Sequence, residues 1–396
     1  MFNKKMLGLG KQSSAIRELF EYGKIRKQQI GEDNVFDFSI GNPNVATPSF
    51  VNEKLVEIIN NTDPVLLHGY TSAPGNLNTR NAIASYLNKT FNTNEDGKYI
   101  YLTLGAAASL SISFNALLNE GEEVIVFTPF WPEYKVLVEN AKGKLVMVDP
   151  DENFYPDFDD FKNKITNKTK IVIINSPNNP TGVIYNEAVI KQIADVMNQK
   201  QKEYGHNIYL LSDEPYRELI YGNETYPFVT NYYDNSLVAY SFSKSLSLPG
   251  ERVGYLLVSN KMENKDDVYA CICGSGRSLG FVCATSLFQQ LIPHVLGIQT
   301  DLTTYKTNRE LLYNALVSLG YEVIYPSGAF YMFVKALEED DEKFSTFAKE
   351  KEELLLVPSS SFGIKGYVRI SYCVSTKTIV DSLPAFERLM KHYKGE

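Results

Sequence analysis

The chain has 396 residues, of which 44% are hydrophobic and 22% charged, and its formal net charge is -8 at pH 7. This length predicts two or three domains with cores large enough to fold without disulfides. The acidic balance argues against a nucleic-acid partner, and no stretch approaches the 18 apolar residues that indicate a membrane span.

Cysteine and histidine are sparse. The four cysteines, at 271, 273, 283 and 373, fit no zinc or disulfide framework, and the four histidines are scattered. The basic N-terminus lacks the apolar core of a signal peptide. We therefore expect no metal site, and a cytoplasmic enzyme with free thiols is the simplest interpretation.

The N-terminal part is predicted to form helices, with one short apolar segment after the first of them. Residues 14–31 have the apolar spacing of an amphipathic helix and end at a glycine. A short apolar stretch at 35–40 runs into a turn that begins at Gly41. Residues 50–61 and 76–92 are again predicted to be helical.

The middle of the chain alternates helices with short apolar runs. The runs lie at 100–104, 123–127, 144–148, 171–174, 208–211, 237–240 and 254–258. They are nearly all apolar and show no alternation, which is typical of strands buried on both faces. Helices between such strands predict an α/β fold with a mostly parallel sheet.

The pattern changes after about residue 285. A long helix is predicted over about 285–319, followed by alternating strands and helices to the end of the chain. We therefore expect a large domain at about 46–284 and a smaller α+β domain built from 1–45 and 285–396. The long helix would bridge the two domains.

Polar residues follow three of the buried strands. They lie in the segments 175–182, 212–216 and 241–252, which supply an amide, an acid with a phenol, and a lysine with hydroxyls and an arginine. In open α/β sheets ligands bind where strands end and loops begin. The three segments therefore predict one convergent polar site.

The ordered set of motifs resembles a known family. Its members are an Asn-Pro-Thr-Gly motif from Asn179, Asp213-x-x-Tyr216, Ser241-x-x-Lys244, Arg252 after seven intervening residues, and Arg369. The set is similar to the motifs of fold-type-I pyridoxal-phosphate (PLP) aminotransferases of the class I/II superfamily. Within that superfamily it resembles the enzymes of the aspartate aminotransferase type. The resemblance covers about 40–371 and implies a seven-stranded, mostly parallel sheet in the large domain.

The resemblance implies catalytic roles for the residues at the strand ends. Lys244 would be the Schiff-base lysine that holds PLP and then carries the proton between the substrate and the cofactor. Asp213 would keep the pyridine nitrogen protonated. Tyr216 and Asn179 would hydrogen-bond the phenolic oxygen of PLP.

The phosphate of PLP needs an anion site. Ser241 and Arg252 would contribute a hydroxyl and a guanidinium. Gly105, Ala106 and Ala107 end a strand and open a helix, so their backbone N–H groups would also face the phosphate. Many relatives have a polar side chain where this chain has alanines.

Two aromatic residues complete the implied cofactor site. Trp131 would stack on the pyridine ring. Tyr70 of the partner subunit would reach the phosphate, which makes the expected active unit a homodimer with shared sites. The resemblance also implies cis peptides before Pro129 and Pro180.

Two arginines, a glycine and Asn179 are candidates for substrate binding. Arg369 would clamp the substrate α-carboxylate, and Gly41 would contact the same group through its backbone. Arg277 lies 25 residues after Arg252, which resembles the position of an arginine that binds a distal carboxylate in the partner's site. This position favours aspartate or glutamate, although a solvated or phosphate-neighbouring arginine is an equal alternative.

Three functions remain open at this point. The leading one is an aminotransferase that passes an amino group from an L-amino acid to a 2-oxo acid by a ping-pong mechanism. A PLP-dependent C–S β-lyase would use the same residues. A non-catalytic PLP-binding regulator is disfavoured because the chain is acidic and has no DNA-binding extension.

Overall fold

The computed structural model describes residues 2–11 and 14–396. The helices are α1 (Lys4–Lys11), α2 (Ala15–Ile30), α3 (Ser49–Asn61), α4 (Pro64–His68), α5 (Leu77–Phe91), α6 (Ala106–Leu117), α7 (Glu133–Asn140), α8 (Phe158–Lys164), α9 (Glu187–Tyr204), α10 (Phe242–Ser245), α11 (Lys265–Leu279), α12 (Ser286–Val295), α13 (Thr303–Leu319), α14 (Asp341–Glu352) and α15 (Thr376–Lys394). Within the described residues, no helix is both long enough and apolar enough to cross a bilayer.

The strands form three sheets. They are β1 (Phe36–Asp37), β2 (Ile100–Thr103), β3 (Glu123–Phe127), β4 (Lys144–Val148), β5 (Thr169–Asn175), β6 (Tyr209–Asp213), β7 (Ser236–Ser241), β8 (Gly254–Val258), β9 (Val323–Ile324), β10 (Tyr331–Lys335), β11 (Leu354–Leu355), β12 (Val357–Pro358) and β13 (Tyr367–Ser371). The largest sheet has seven strands in the order β2-β8-β7-β6-β5-β3-β4. Within it, β8 runs antiparallel to both neighbours, and the other pairs are parallel. The predicted α/β fold with a mostly parallel seven-stranded sheet is confirmed.

The sequence predicts burial on both faces for every strand of this sheet, and this prediction is wrong for β4. Most of the β4 residues are partly or fully exposed, and Met147 has 46% of its surface exposed. The reason is position, because β4 is an edge strand that pairs with β3 alone. Apolar runs predict strands well, but they do not show which strand lies at the edge.

The prediction of a single helix over about 285–319 is wrong. Two helices, α12 and α13, occupy this region, and residues 296–302 separate them. Pro293 lies inside the last turn of α12, where it lacks the N–H that a helix needs, and Gly297 has a φ of 82° just beyond the helix. Proline followed by a left-handed glycine ends a helix.

A four-stranded sheet and the three helices α13, α14 and α15 form the C-terminal part. Its order is β12-β13-β10-β9, all antiparallel, and α13 and α15 pack against each other beside it. The N-terminal strand β1 pairs with β11, so residues 36–37 lie against this part. The domain boundaries at 46–284 and at 1–45 with 285–396 stay a prediction.

The large sheet brings three strand ends side by side. Asn175, the last residue of β5, lies opposite Asp213, the last residue of β6. Asp213 in turn lies opposite Ala239 of β7, which ends two residues later at Ser241. Parallel pairing therefore places the polar segments that follow these strands at one edge.

Asn308 anchors the chain that follows β13, and we expect Asn308→Ala to destabilise the protein. This fully buried side chain donates hydrogen bonds to the carbonyls of Tyr372 (3.0 Å) and Val374 (2.8 Å). Losing both donors leaves buried carbonyls unsatisfied, which costs about 2 kcal/mol. Urea unfolding measures the change, with the exposed Asn314→Ala on the same helix as the control. Equal stability of the two variants would contradict this role.

Candidate active site

A cavity of about 270 Å³ lies where β5, β6 and β7 end. Most of the predicted site residues line it: Gly41, Ala106, Ala107, Trp131, Asn179, Asp213, Tyr216, Ser241, Lys244, Arg252 and Arg369. A larger cavity of about 720 Å³ lies beside residues 335–342, but its wall holds none of these residues. The chemistry of the side chains therefore identifies the smaller cavity as the candidate site.

Lys244 faces this cavity from the short helix α10 that follows β7. Its Nζ donates a hydrogen bond of 2.6 Å to the carbonyl of Gly41. The pKa of Lys244 is lowered to about 8, chiefly by burial and also by the positive charges of Arg252 and Arg369, while Cys373 acts in the opposite direction. About a tenth of this amine is therefore neutral and nucleophilic at pH 7, far more than for an exposed lysine.

Asp213 is buried with half of its carboxylate unused. Its Oδ2 accepts a hydrogen bond of 2.6 Å from the hydroxyl of Tyr134, whereas Oδ1 is buried without a hydrogen-bond partner. Burial raises the pKa of Asp213 to about 7, although the Tyr134 hydrogen bond lowers it. A buried acceptor without a donor indicates that a ligand supplies the donor.

Two tyrosines in the site were missed by the sequence analysis. Tyr134 holds Asp213, and Tyr331 lines the cavity, where its hydroxyl lies 2.8 Å from that of Tyr216. These contacts join residues 79 and 115 positions apart in the chain. Only the position of Tyr134 three residues after Trp131, on the same side of a helical turn, offered a signal.

Arg369 is a buried cation with neutral partners. Its Nη1 donates to Asn179 Oδ1 at 3.0 Å and its Nη2 donates to the carbonyl of Ser39, while Nε has no hydrogen-bond partner. Burial lowers the pKa of Arg369 from its usual value. Because Arg369 makes no ion pair among the described residues, its charge is available for an anion that enters the cavity.

A second anion-binding corner forms where α6 begins. Gly105 has a φ of 92°, and a Cβ at this position would lie 3.0 Å from Arg252 Nη2 and 3.5 Å from Ser241 Oγ. Ser243, which was not predicted, also lines the cavity and its hydroxyl lies 2.6 Å from that of Ser241. The first N–H groups of a helix lack partners within the helix, so α6 adds backbone donors to this corner.

Trp131 lines the cavity and packs edge-to-face against Tyr134, with ring centroids 5.5 Å apart. Both cis peptides expected from the sequence are present, before Pro129 and Pro180, and a third precedes Pro177.

Gly105 lies beside the cavity lining at the anion-binding corner, whereas two other predicted site residues lie elsewhere. Tyr70 is fully exposed, and Arg277 is an exposed residue near the end of α11. Neither lines the cavity of its own chain. Their predicted roles therefore depend on a second subunit.

The fold and the cavity define an α/β enzyme whose site is built at the ends of parallel strands, and comparisons identify its family. A family model for "Aminotransferase class I and II" matches residues 33–383. The chain therefore belongs to the class I and II aminotransferases, and it is a transaminase of a family that uses PLP.

Three similar proteins illustrate this relationship. A crystal structure of an aminotransferase from Eubacterium rectale is 51% identical, with a TM-score of 0.97 and 99% of each chain covered. A probable aspartate aminotransferase of Methanocaldococcus jannaschii is 30% identical over 96% of this chain and 97% of that protein. The aspartate aminotransferase of Thermus thermophilus, solved with maleate, is 25% identical, with a TM-score of 0.84 and coverage of 98% and 99%.

The residues present fit PLP. The unpartnered Oδ1 of Asp213 suits the N–H of a protonated pyridine ring, and a carboxylate beside that nitrogen holds the proton in place. The corner formed by Gly105, Ser241 and Arg252 combines a guanidinium, a hydroxyl and a helix N-terminus, which suits a phosphate. Lys244 supplies the amine to which the cofactor could attach.

We expect Tyr134→Phe to weaken PLP binding, most strongly at low pH. The Tyr134 hydrogen bond lowers the pKa of Asp213, so its loss raises this pKa further above 7 and leaves more of the carboxyl protonated at neutral pH. A protonated carboxyl no longer attracts a pyridinium. Quenching of Trp131, the only tryptophan, measures the apparent affinity between pH 6 and 9.

Tyr233→Phe is the control for this measurement, since it removes another buried tyrosine hydroxyl, one that donates to the carbonyl of Ile208. The pH at which half of the affinity is lost should move upward only in Tyr134→Phe. An unchanged pH dependence would show that Tyr134 does not set the charge of Asp213.

Proposed function

We propose that this aminotransferase moves the amino group of an L-amino acid to a 2-oxo acid by a ping-pong mechanism, with aspartate or glutamate favoured as donors. One observation carries the proposal. The amine of Lys244, the guanidinium of Arg369 and the unpartnered Oδ1 of Asp213 line a single cavity. These are the groups needed to move a proton, to bind a carboxylate and to hold a pyridine nitrogen.

Bound PLP supplies an electron sink for the charge that develops when the substrate α-carbon loses its proton. Lys244 holds or moves that proton at Nζ, and its lowered pKa of about 8 suits a base that works near neutral pH. Asp213 would keep the ring nitrogen protonated, since its Oδ1 is free for that N–H, while Tyr134 fixes the other carboxylate oxygen.

Arg369 orients the substrate by its α-carboxylate. The hydrogen bonds to Asn179 and Ser39 fix the guanidinium from two different parts of the chain. Tyr331 lies against the same guanidinium, with its ring centroid 4.7 Å from Cζ. A planar cation held in this way binds a carboxylate in one orientation, which places the α-carbon beside Lys244.

The preference for a dicarboxylic substrate rests on a second subunit. The Methanocaldococcus relative is named for aspartate, and the Thermus structure contains maleate, a dicarboxylate. In the proposed homodimer, Arg277 of the partner subunit binds the distal carboxylate and Tyr70 of the partner subunit binds the phosphate. The exposure of both side chains in one chain supports this arrangement, and the unpaired cysteines support a cytoplasmic location.

Lys244→Ala should abolish turnover, since no other amine lines the described part of the cavity. The wild-type protein should absorb visible light as bound PLP and convert to the pyridoxamine form on addition of aspartate. Loading of the wild-type protein with PLP should become faster as the pH rises through about 8, because the neutral amine is the nucleophile.

Two outcomes would count against this function. A wild-type protein that never binds PLP would refute the proposal. Release of pyruvate and ammonia from a cysteine conjugate without any 2-oxo acid would instead indicate the β-lyase.

Arg277→Ala should lower kcat/KM for aspartate about 30-fold or more, since one partner of a buried charge pair is lost. Alanine has no distal carboxylate, so its turnover should change by less than about twofold. Equal loss on both substrates would remove Arg277 from substrate recognition.

Hybrid dimers test whether Arg277 acts across the subunit interface. A dimer of one Lys244→Ala subunit and one Arg277→Ala subunit, isolated through two different tags, contains one complete site if the sites are shared. It should therefore recover about half of the wild-type aspartate activity. Activity as low as that of the Arg277→Ala dimer would place the arginine in its own subunit's site.

A further inference from the structure

A buried glutamine on α12 contacts the segment that follows Tyr70. Gln289 is fully buried, although its side-chain amide has two N–H donors and a carbonyl acceptor. The amide bonds to residues at 71 and 76, which lie 218 and 213 positions earlier in the chain. Burial of an amide is unfavourable unless its hydrogen bonds are made, and the proton-transfer groups do not use this one.

Gln289 holds both ends of the segment 71–76. Its Nε2 donates a hydrogen bond of 3.1 Å to Thr71 Oγ1, and its Oε1 accepts one of 2.7 Å from the backbone N–H of Asn76. The same Nε2 also donates to the carbonyl of Ala284, just before α12 begins. One side chain therefore fixes this segment to the start of α12.

Tyr70 depends on its neighbours in the chain for its position. Its side chain is fully exposed and makes no hydrogen bond among the described residues. The next residue, Thr71, is held by Gln289 through its hydroxyl and by Cys283 Sγ, which donates to its carbonyl at 3.1 Å. The direction in which Tyr70 extends therefore follows from how Thr71 is held.

We propose that Gln289 is a positioning residue for the phosphate site of the partner subunit, on which it acts by fixing the segment that carries Tyr70. The inference rests on the proposed function, because it uses the homodimer in which Tyr70 binds the phosphate across the interface. A change at Gln289 then weakens the site of the other subunit and spares the site of its own. A general loosening of the altered subunit would do the opposite.

Trp131 allows the two sites of one dimer to be measured separately. It is the only tryptophan, so a subunit with Trp131→Phe is silent and fluorescence quenching reports PLP binding in the other subunit. Hybrid dimers, isolated through two different tags, carry Gln289→Met and Trp131→Phe either in the same subunit or in different subunits. A hybrid with Trp131→Phe alone is the reference.

The two hybrids should differ. With both substitutions in one subunit, the reporting site receives Tyr70 from the altered subunit, and its PLP affinity should fall about tenfold because a hydrogen bond to a charged group is lost. With the substitutions in different subunits, the reporting site receives an intact Tyr70, and its affinity should change by less than about twofold. The affinity for pyridoxal, which lacks the phosphate, should change by less than about twofold in both hybrids.

Gln290→Met is the matched control. Gln290 is the next residue of α12 and makes no hydrogen bond to residues 71–76 within the described chain, so its loss should leave both hybrids unchanged. Thr71→Val is a second, milder variant, since it removes only the hydroxyl that Gln289 contacts in a partly exposed residue. It should give the same pattern with a smaller loss, which keeps the test decisive if Gln289→Met does not fold.

Three results would overturn the inference. The first is a weakened site in the altered subunit itself, and the second is an equal loss for PLP and pyridoxal. The third is a loss with Tyr70→Phe but not with Gln289→Met or Thr71→Val, which would leave the role of Tyr70 intact. Unchanged PLP affinity in Tyr70→Phe would instead refute the shared phosphate site of the proposed function, so the two failures are distinguishable.

Discussion

The carboxylate of Asp213 and the guanidinium of Arg369 are both buried, and neither makes an ion pair within the described part of the chain. A buried charge without a counter-charge is costly, by several kcal/mol for each ion. The strands β5, β6 and β7, buried at every position except Lys170, provide the stability that tolerates this cost. The binding of ions of opposite charge relieves the unfavourable burial of both groups. The site therefore favours a cationic group beside Asp213 and an anionic group beside Arg369.

Both groups are fixed by neutral partners that leave their charge available to a ligand. Asp213 is held by Tyr134 through one oxygen, and Arg369 by Asn179 and Ser39 through two nitrogens, so each keeps free atoms toward the cavity. Neutral partners fix orientation without neutralising the charge. A charged partner in place of Tyr134 or Asn179 would hold the side chain as firmly, but it would compete with the incoming ligand.

Much of this arrangement could be predicted from the sequence, and the failures have physical causes. The seven strands were visible because buried strands are continuous apolar runs, and the Lys244 and Arg369 positions were visible because their motifs are local. The exposure of β4 depends on strand order, which no run of residues encodes. Tyr331 was missed because its contact with Tyr216 exists only after folding. The break between α12 and α13 could have been predicted, because Pro293 and Gly297 are helix-ending residues in the sequence itself.

The elements that hold the chemistry differ from those that border the cavity at the N-terminal segment. Asp213 ends β6 and Lys244 lies on α10 directly after β7, so displacement of one of these strands disturbs its neighbour in the sheet. Ile16 and Ile40 lie on the N-terminal segment, whose contact with the large sheet is made by side chains and by the Gly41 carbonyl. The sheet therefore fixes the proton-transfer groups, and the N-terminal segment borders the cavity beside them and meets Lys244 and Arg369 through the carbonyls of Gly41 and Ser39.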